Sequence, residues 1–192
     1  MTGTSRKFTS TILHSIGFAI FLSSNVACAN AITPAMQQKV DAYKIKAQTM
    51  ATDPAVIQAT REANTKGAIP GMDNAKWATT PESDATVAEM INNAAAKRLT
   101  QWMSEDANGL NKLVLTGKFG QRFAFTSKPA SYMSNEKTHF SESSAGKIWQ
   151  MAETQPDPST NVETVQITVP IKDGEATVGV LLLSLTASNL AK

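Results

Sequence analysis

From Pro34 onward the apolar positions fall on a helical stripe. Met36, Val40, Tyr43, Ala47 and Met50 alternate four and three residues apart, which places them on one face of an α-helix. Pro34 suits the first turn and Thr33 its cap. Asp53-Pro54 restarts the pattern, with Asp53 as cap and Pro54 at the first helical position. Val56 and Ile57 then carry a second short helix to about Ala63. Residues 64–83 hold Gly67, Pro70, Gly71 and Pro81 around Trp77 and read as loop. Asp84 caps the next helical pattern, whose apolar face runs through Val87, Met90, Ile91, Ala94, Leu99, Trp102 and Met103. Asn92-Asn93 divides that pattern in two.

Beyond residue 109 the period shortens to that of strands. Residues 110–116 and 121–126 read as a hairpin joined by the turn GKFG, with Phe123 and Phe125 on one face and Arg122 on the other. A polar, irregular crossing of more than ten residues follows, with Tyr132 set among Ser, Lys, Pro and Asn. Residues 147–153, around Trp149, form a weaker strand candidate. In residues 162–171, Val165, Ile167, Val169 and Ile171 face one way and Thr164, Gln166 and Thr168 the other, the pattern of a strand buried on one face. Lys172-Asp173-Gly174 supplies a turn. Residues 178–185 (VGVLLLSL) are apolar on both faces, so this strand belongs at the centre of a sheet covered on each side. The order is helices first, then five strands.

The first 31 residues change the reading of the charge. Arg6 and Lys7 precede an apolar run from Ile12 to Leu22, and two A-x-A sites follow at 27–29 and 29–31. This is the pattern of an export signal over residues 1–29, with cleavage as late as residue 31. The run is shorter than the about 20 residues a spanning helix needs. Cys28 allows a rival, a lipid anchor, but Asn25 holds the place where a lipoprotein box has an apolar residue. The chain has 18 basic and 16 acidic side chains, and loss of Arg6 and Lys7 leaves 16 of each. The exported part is therefore near neutral and offers no electrostatic footprint for nucleic acid. Cleavage past Cys28 also removes the chain's one thiol, and His14 leaves with the signal, so His139 remains as the sole histidine.

Several segments, taken together, resemble the single Cache domain, an extracytoplasmic relative of PAS sensors. They are Leu115-Thr116, the run Gly120-Gln121-Arg122-Phe123-Ala124, and Ser131-Tyr132-Met133-Ser134-Asn135-Glu136. Asp157-Pro158-Ser159-Thr160, Val169-Pro170-Ile171, Asp173-Gly174 and Val178-Gly179-Val180-Leu181 follow in the family's order, and Asp73 and Trp77 resemble an upstream D-x-x-x-W element. The resemblance covers roughly residues 70–186. Met133 stands where the family has Trp, Ser131 where it has Asp, and Gly117 where an Asp often follows the first strand. These departures bear on ligand identity more than on fold. The resemblance implies an α+β fold: a PAS-like five-stranded antiparallel sheet backed by a long N-terminal helix, with a ligand pocket on the opposite face. It divides the chain into a helical arm, residues 30–69, and a sensor domain, residues 70–192. Receptors of this kind continue into a transmembrane helix and a signalling module, which this sequence lacks, so the expectation is a stand-alone exported module in the periplasm or outside the cell.

The expected function is to bind a small organic ligand, a short carboxylate or an amino acid, under the crossing, and to act through a membrane sensor or receptor. Tyr132 offers a ring and a hydroxyl. Ser127, Lys128 and Ser131 are neighbouring donors, Arg122 is a charge-assisted partner for a carboxylate, and Trp149 and Asp157 return to close the site. The bland alternatives are a solvated Arg122 and Lys128, a turn-forming Asp157, and Trp77 and Trp102 as packing residues. His139 has no motif around it and reads as a surface residue. A different function keeps the fold without a ligand, as a homodimerising or docking piece built on the Met36–Met50 stripe. Catalysis finds no support: there is no pair of His at metal spacing, no G-x-S-x-G and no phosphate loop leading into a helix, and no cofactor is implied.

Overall fold

A computed structural model describes residues 1–2 and 31–192. The export-signal reading of residues 1–29, with Cys28, lies outside the described residues apart from the first two. Among the described residues no helix is long and apolar enough to cross a membrane.

The N-terminal stripe forms α1 (Pro34–Ala51), capped by the Thr33 hydroxyl, which accepts from the Met36 N–H. Its apolar residues Met36, Val40, Ala47 and Met50 are buried against the sheet of this same chain. Asp53 caps α2 (Pro54–Lys66). The segment expected to be loop contains a short helix, α3 (Asn74–Thr79), capped by Asp73 and carrying Trp77. Six residues are too few for periodicity to stand out from flanking Gly and Pro. Asp84 caps α4 (Ala85–Asn92) and Asn93 caps α5 (Ala94–Glu105), so the Asn pair does separate one helix from the next.

The sheet is wholly antiparallel. Its strands are β1 (Leu110–Gly117), β2 (Arg122–Phe125), β3 (Trp149–Gln150), β4 (Gln155–Pro156), β5 (Glu163–Asp173) and β6 (Ala176–Thr186). They run in the order β2-β1-β6-β5-β3, with β4 also on β5. The sixth strand, β4, is a two-residue addition that no alternation could announce. As its doubly apolar pattern requires, β6 lies between β1 and β5. Two more helices, α6 (Thr138–Ser144) and α7 (Ala187–Leu190), complete the fold.

The two sheet faces carry different layers. Leu113, Leu115, Val165, Ile167, Val169, Ile171, Leu181, Leu183 and Leu185 form one core with α1, α2 and α5. Each such aliphatic side chain contributes about 1.5–3 kcal/mol by leaving water. Val114, Phe125 and Leu182 point the other way and join Trp77, Val87, Met90 and Tyr132 in a smaller cluster. The polar face of β5 is covered as well, contrary to the one-sided expectation. Helix α6 lies over it, and the Thr168 hydroxyl bonds the His139 carbonyl at 3.0 Å and the Ser143 hydroxyl at 2.7 Å.

The crossing between β2 and β3 is pinned at both sides. Residues 131–134 run along the free edge of β2, where the Arg122 N–H donates to the Tyr132 carbonyl and the Ser134 N–H to the Gly120 carbonyl. From above, the Trp77 indole N–H donates to the Pro129 carbonyl at 2.7 Å, and Asn74 makes two hydrogen bonds with the Met133 backbone. Trp77 also packs edge-on to Phe125 and tilted on Tyr132, at centroid distances of 6.0 and 5.6 Å. Trp77 thus ties α3, the crossing and β2 together. Trp77→Ala is expected to destabilise the chain by about 3–5 kcal/mol in urea unfolding, with a near-wild-type midpoint as the outcome that refutes this role.

Candidate ligand-binding site

One irregularity in the hairpin decides what the site contains. Leu115 pairs with Ala124 but Thr116 pairs with Arg122, so Phe123 is an extra residue opposite β1. Such a bulge inverts the facing of everything beyond it. Phe123 and Phe125 therefore do not share a face: Phe123 packs toward the helix-side core and Phe125 into the Trp77 cluster. Arg122, which strict alternation would send to the Ala124 face, joins Val114 and Leu182 at a cavity on the other side.

That cavity has a volume of about 420 Å³, within the range of about 300–1,000 Å³ usual for small-ligand sites. Val114, Leu182, Trp149, Met151, Pro129 and Pro156 give it apolar wall, and Lys112, Arg122, Lys137, His139 and Asp157 give it charge and polarity. Strands β1, β5 and β6 supply the floor, the crossing one side, and the chain around β3 and β4 the other.

Its electrostatic centre is a buried ion pair. The Lys112 ammonium donates to both Asp157 oxygens at 2.7 and 2.6 Å and to the Ser159 hydroxyl at 2.7 Å. The two side chains are 5% and 0% exposed. Asp157 also accepts from the Ser159 N–H and hydroxyl, and more weakly from the Thr160 N–H, the Gln166 amide and the Ser184 hydroxyl. Burial alone would raise the Asp157 carboxyl, but these bonds and the Lys112 charge outweigh it and hold the group at about 2. Burial pushes the Lys112 ammonium down from its ordinary value, against the pull of Asp157.

Arg122 is different. It is 7% exposed, one terminal nitrogen donates to the Ser131 carbonyl at 2.6 Å, and its Nε is buried without a partner. Burial lowers its guanidinium to about 10, which leaves it fully charged at neutral pH. His139, half-buried, stacks obliquely 5.6 Å from Trp149. Burial first, then the charges of Arg122 and Lys137, depress it to about 4, so it is neutral at pH 7. The surface placement expected for His139 is overturned, because α6 carries it under the crossing.

Of the residues expected to bind ligand, Arg122, Ser131, Trp149 and Asp157 line this cavity together. Tyr132 does not line it: the ring is 1% exposed within the Trp77 cluster and the hydroxyl accepts from the Ile69 N–H at 2.8 Å. Tyr132 borders instead a recess of about 300 Å³ between α2, α4, α5 and β2. Lys128 lies over the Trp77 ring and donates to the Trp77 carbonyl, and the Ser127 hydroxyl is buried without a partner; neither lines the cavity. Lys112 and His139 were missed. A lysine inside the apolar run LNKLVLT is a legible signal for a buried charge, whereas nothing near His139 marks it. Among the described residues there is no cluster suited to hold a metal ion.

No protein-family model matches the chain, and no curated protein matches it. Solved structures do. The sensor domain of the V. cholerae histidine kinase DctB superposes with a TM-score of 0.55 at 13% identity, over 81% of this chain and 52% of that one. The ligand-binding domain of the Campylobacter jejuni chemoreceptor Tlp3, in complex with L-valine, gives a TM-score of 0.42 at 18% identity, over 83% and 66%. The E. coli DcuS sensor domain gives 0.40 at 12%, over 71% and 95%. The chain spans about half the length of the DctB domain. The chain thus shares its fold with the DctB sensor domain: α+β, with an open antiparallel sheet backed by helices.

Two outcomes test this geometry. Lys112→Met leaves the Asp157 charge buried and unpaired, and is expected to cost about 3–5 kcal/mol; Lys112→Met with Asp157→Leu should recover much of that loss in chemical denaturation. For His139, the folded value of about 4 lies below the unfolded value of about 6.5. The unfolded chain therefore takes up this proton first, so the contribution is whole above pH about 6.5 and is lost progressively toward pH 4. His139→Gln should flatten the fall in melting temperature across that window, and an unchanged slope would refute the assignment.

Proposed function

We propose that the chain is an exported sensor module whose cavity beneath the crossing binds a small organic ligand, a short carboxylate or an amino acid, and which passes the signal to a membrane sensor or receptor. One observation carries this reading: a buried, charged Arg122 beside an apolar-walled cavity, with a guanidinium nitrogen that the protein leaves unpaired. Buried donors are rarely left so, since an unmade hydrogen bond costs about 1–3 kcal/mol. A carboxylate in the cavity gives the buried guanidinium the counter-charge that it lacks. Fold likeness to DctB supports a sensor role, and the basic-apolar-small pattern of residues 1–29 supports delivery outside the cytoplasm.

The signal requires that the ligand favour one arrangement of the protein over another. Helix α6 is the movable wall in this proposal, because His139 brings it to the cavity and it does not belong to the sheet, whereas the crossing is pinned by Trp77 and Asn74. A thermal-shift panel of short carboxylates and amino acids should contain members that raise the melting temperature saturably, by about 2.7 kcal/mol of stability at one hundred times Kd. Arg122→Gln should weaken such ligands at least about tenfold, as loss of a charge-assisted bond of about 1.5–3 kcal/mol implies. A panel without any stabilising member refutes the proposal.

A further inference from the structure

The proposed function leaves carboxylates and amino acids as alternatives, and the ionic groups of the cavity distinguish them. An α-amino acid needs two reading groups, a cation for its carboxylate and an anionic or carbonyl cluster for its ammonium. Among the described lining residues the one carboxylate is Asp157. It is fully buried and already engaged by the Lys112 ammonium through both oxygens. The backbone N–H and hydroxyl of Ser159 fill its remaining acceptor directions on Oδ1, and Gln166 and Ser184 approach Oδ2. Lys112 is equally committed, with three protons directed at three acceptors. The pair thus neutralises itself and leaves neither half for a ligand.

Arg122 and Lys137 remain at the cavity without a carboxylate of their own among the lining residues, and His139 adds no negative charge. An ammonium entering here would meet the buried Arg122 guanidinium and the exposed Lys137 with no free carboxylate among the described lining residues, while an anion would be attracted to both. We infer that the site selects organic carboxylates that lack an amino group and excludes their amino-acid counterparts, because Lys112 already occupies the one carboxylate among the described lining residues. This inference rests on the reading of the cavity as a ligand site. The apolar wall of Trp149, Met151, Pro156 and Leu182 is what makes the ligand organic: it can bury a carbon skeleton, to which an inorganic anion has no equivalent.

Matched pairs test it on the unmodified chain by titration calorimetry: propionate against alanine, butyrate against 4-aminobutyrate, succinate against aspartate, with methyl propionate and inorganic phosphate as further arms. The expected result is that at least one pair binds, and that in every pair that binds the amine-free member does so at least tenfold tighter than its amino partner. Methyl propionate and phosphate should both be weaker than that member. An amino compound that binds as tightly as its partner, or tighter, overturns the inference while leaving the cavity a ligand site. Phosphate that matches the best carboxylate overturns the organic selectivity. Silence from every arm overturns the inference together with the ligand site on which it rests.

Discussion

The architecture depends on a strand that has no wet side. β6 is apolar on both faces and fully hydrogen-bonded on both edges, so both faces need cover. One cover is conventional: α1, α2 and α5 lay aliphatic and aromatic side chains on Leu181, Leu183 and Leu185. The other cannot be a continuous helix layer, because after β2 the chain must cross the sheet to reach β3. The crossing and α6 provide it in pieces. A cover made of pieces leaves gaps, and the cavity is one of them.

Along this second face the chemistry grades from apolar to ionic. At one end Trp77 gathers Phe125, Tyr132, Val114 and Leu182 into a buried apolar cluster. At the other, Ser184 and Lys112 meet Asp157 from the returning chain. The cavity lies where these two regimes meet, with carbon on one wall and charge on the other. The ion pair contributes less to net stability than to position, since the cost of burying charge offsets most of the attraction. Its physical effect is to fasten the segment around β4, which has only two residues of strand pairing, to the third residue of β1.

Much of the fold was legible. The stripe from Met36 to Met50, the caps Thr33, Asp53 and Asp84, the hairpin, and the central place of residues 178–185 all follow from period and local chemistry, and all appear. Less of the site was. Arg122, Ser131, Trp149 and Asp157 meet at the cavity, but Tyr132 belongs to the Trp77 cluster, Lys128 is engaged by Trp77, and Lys112 and His139 had no assigned role. The reason is that these placements rest on contacts far along the chain: Tyr132 with Ile69, Lys128 with Trp77, Lys112 with Asp157, and His139 carried to the cavity by α6.

The sequence by itself determined the elements, because helix stripes, caps and doubly apolar strands are properties of a few neighbouring residues. Only the tertiary structure decided which charges are free. Lys112 and Asp157 are 45 residues apart, and the sequence around either one does not name the other as its partner. Folding brings them within hydrogen-bond distance in a dry place, where they satisfy each other and leave Arg122 unmatched. Local pattern carries no record of that pairing, since it depends on a contact made only when the sheet closes.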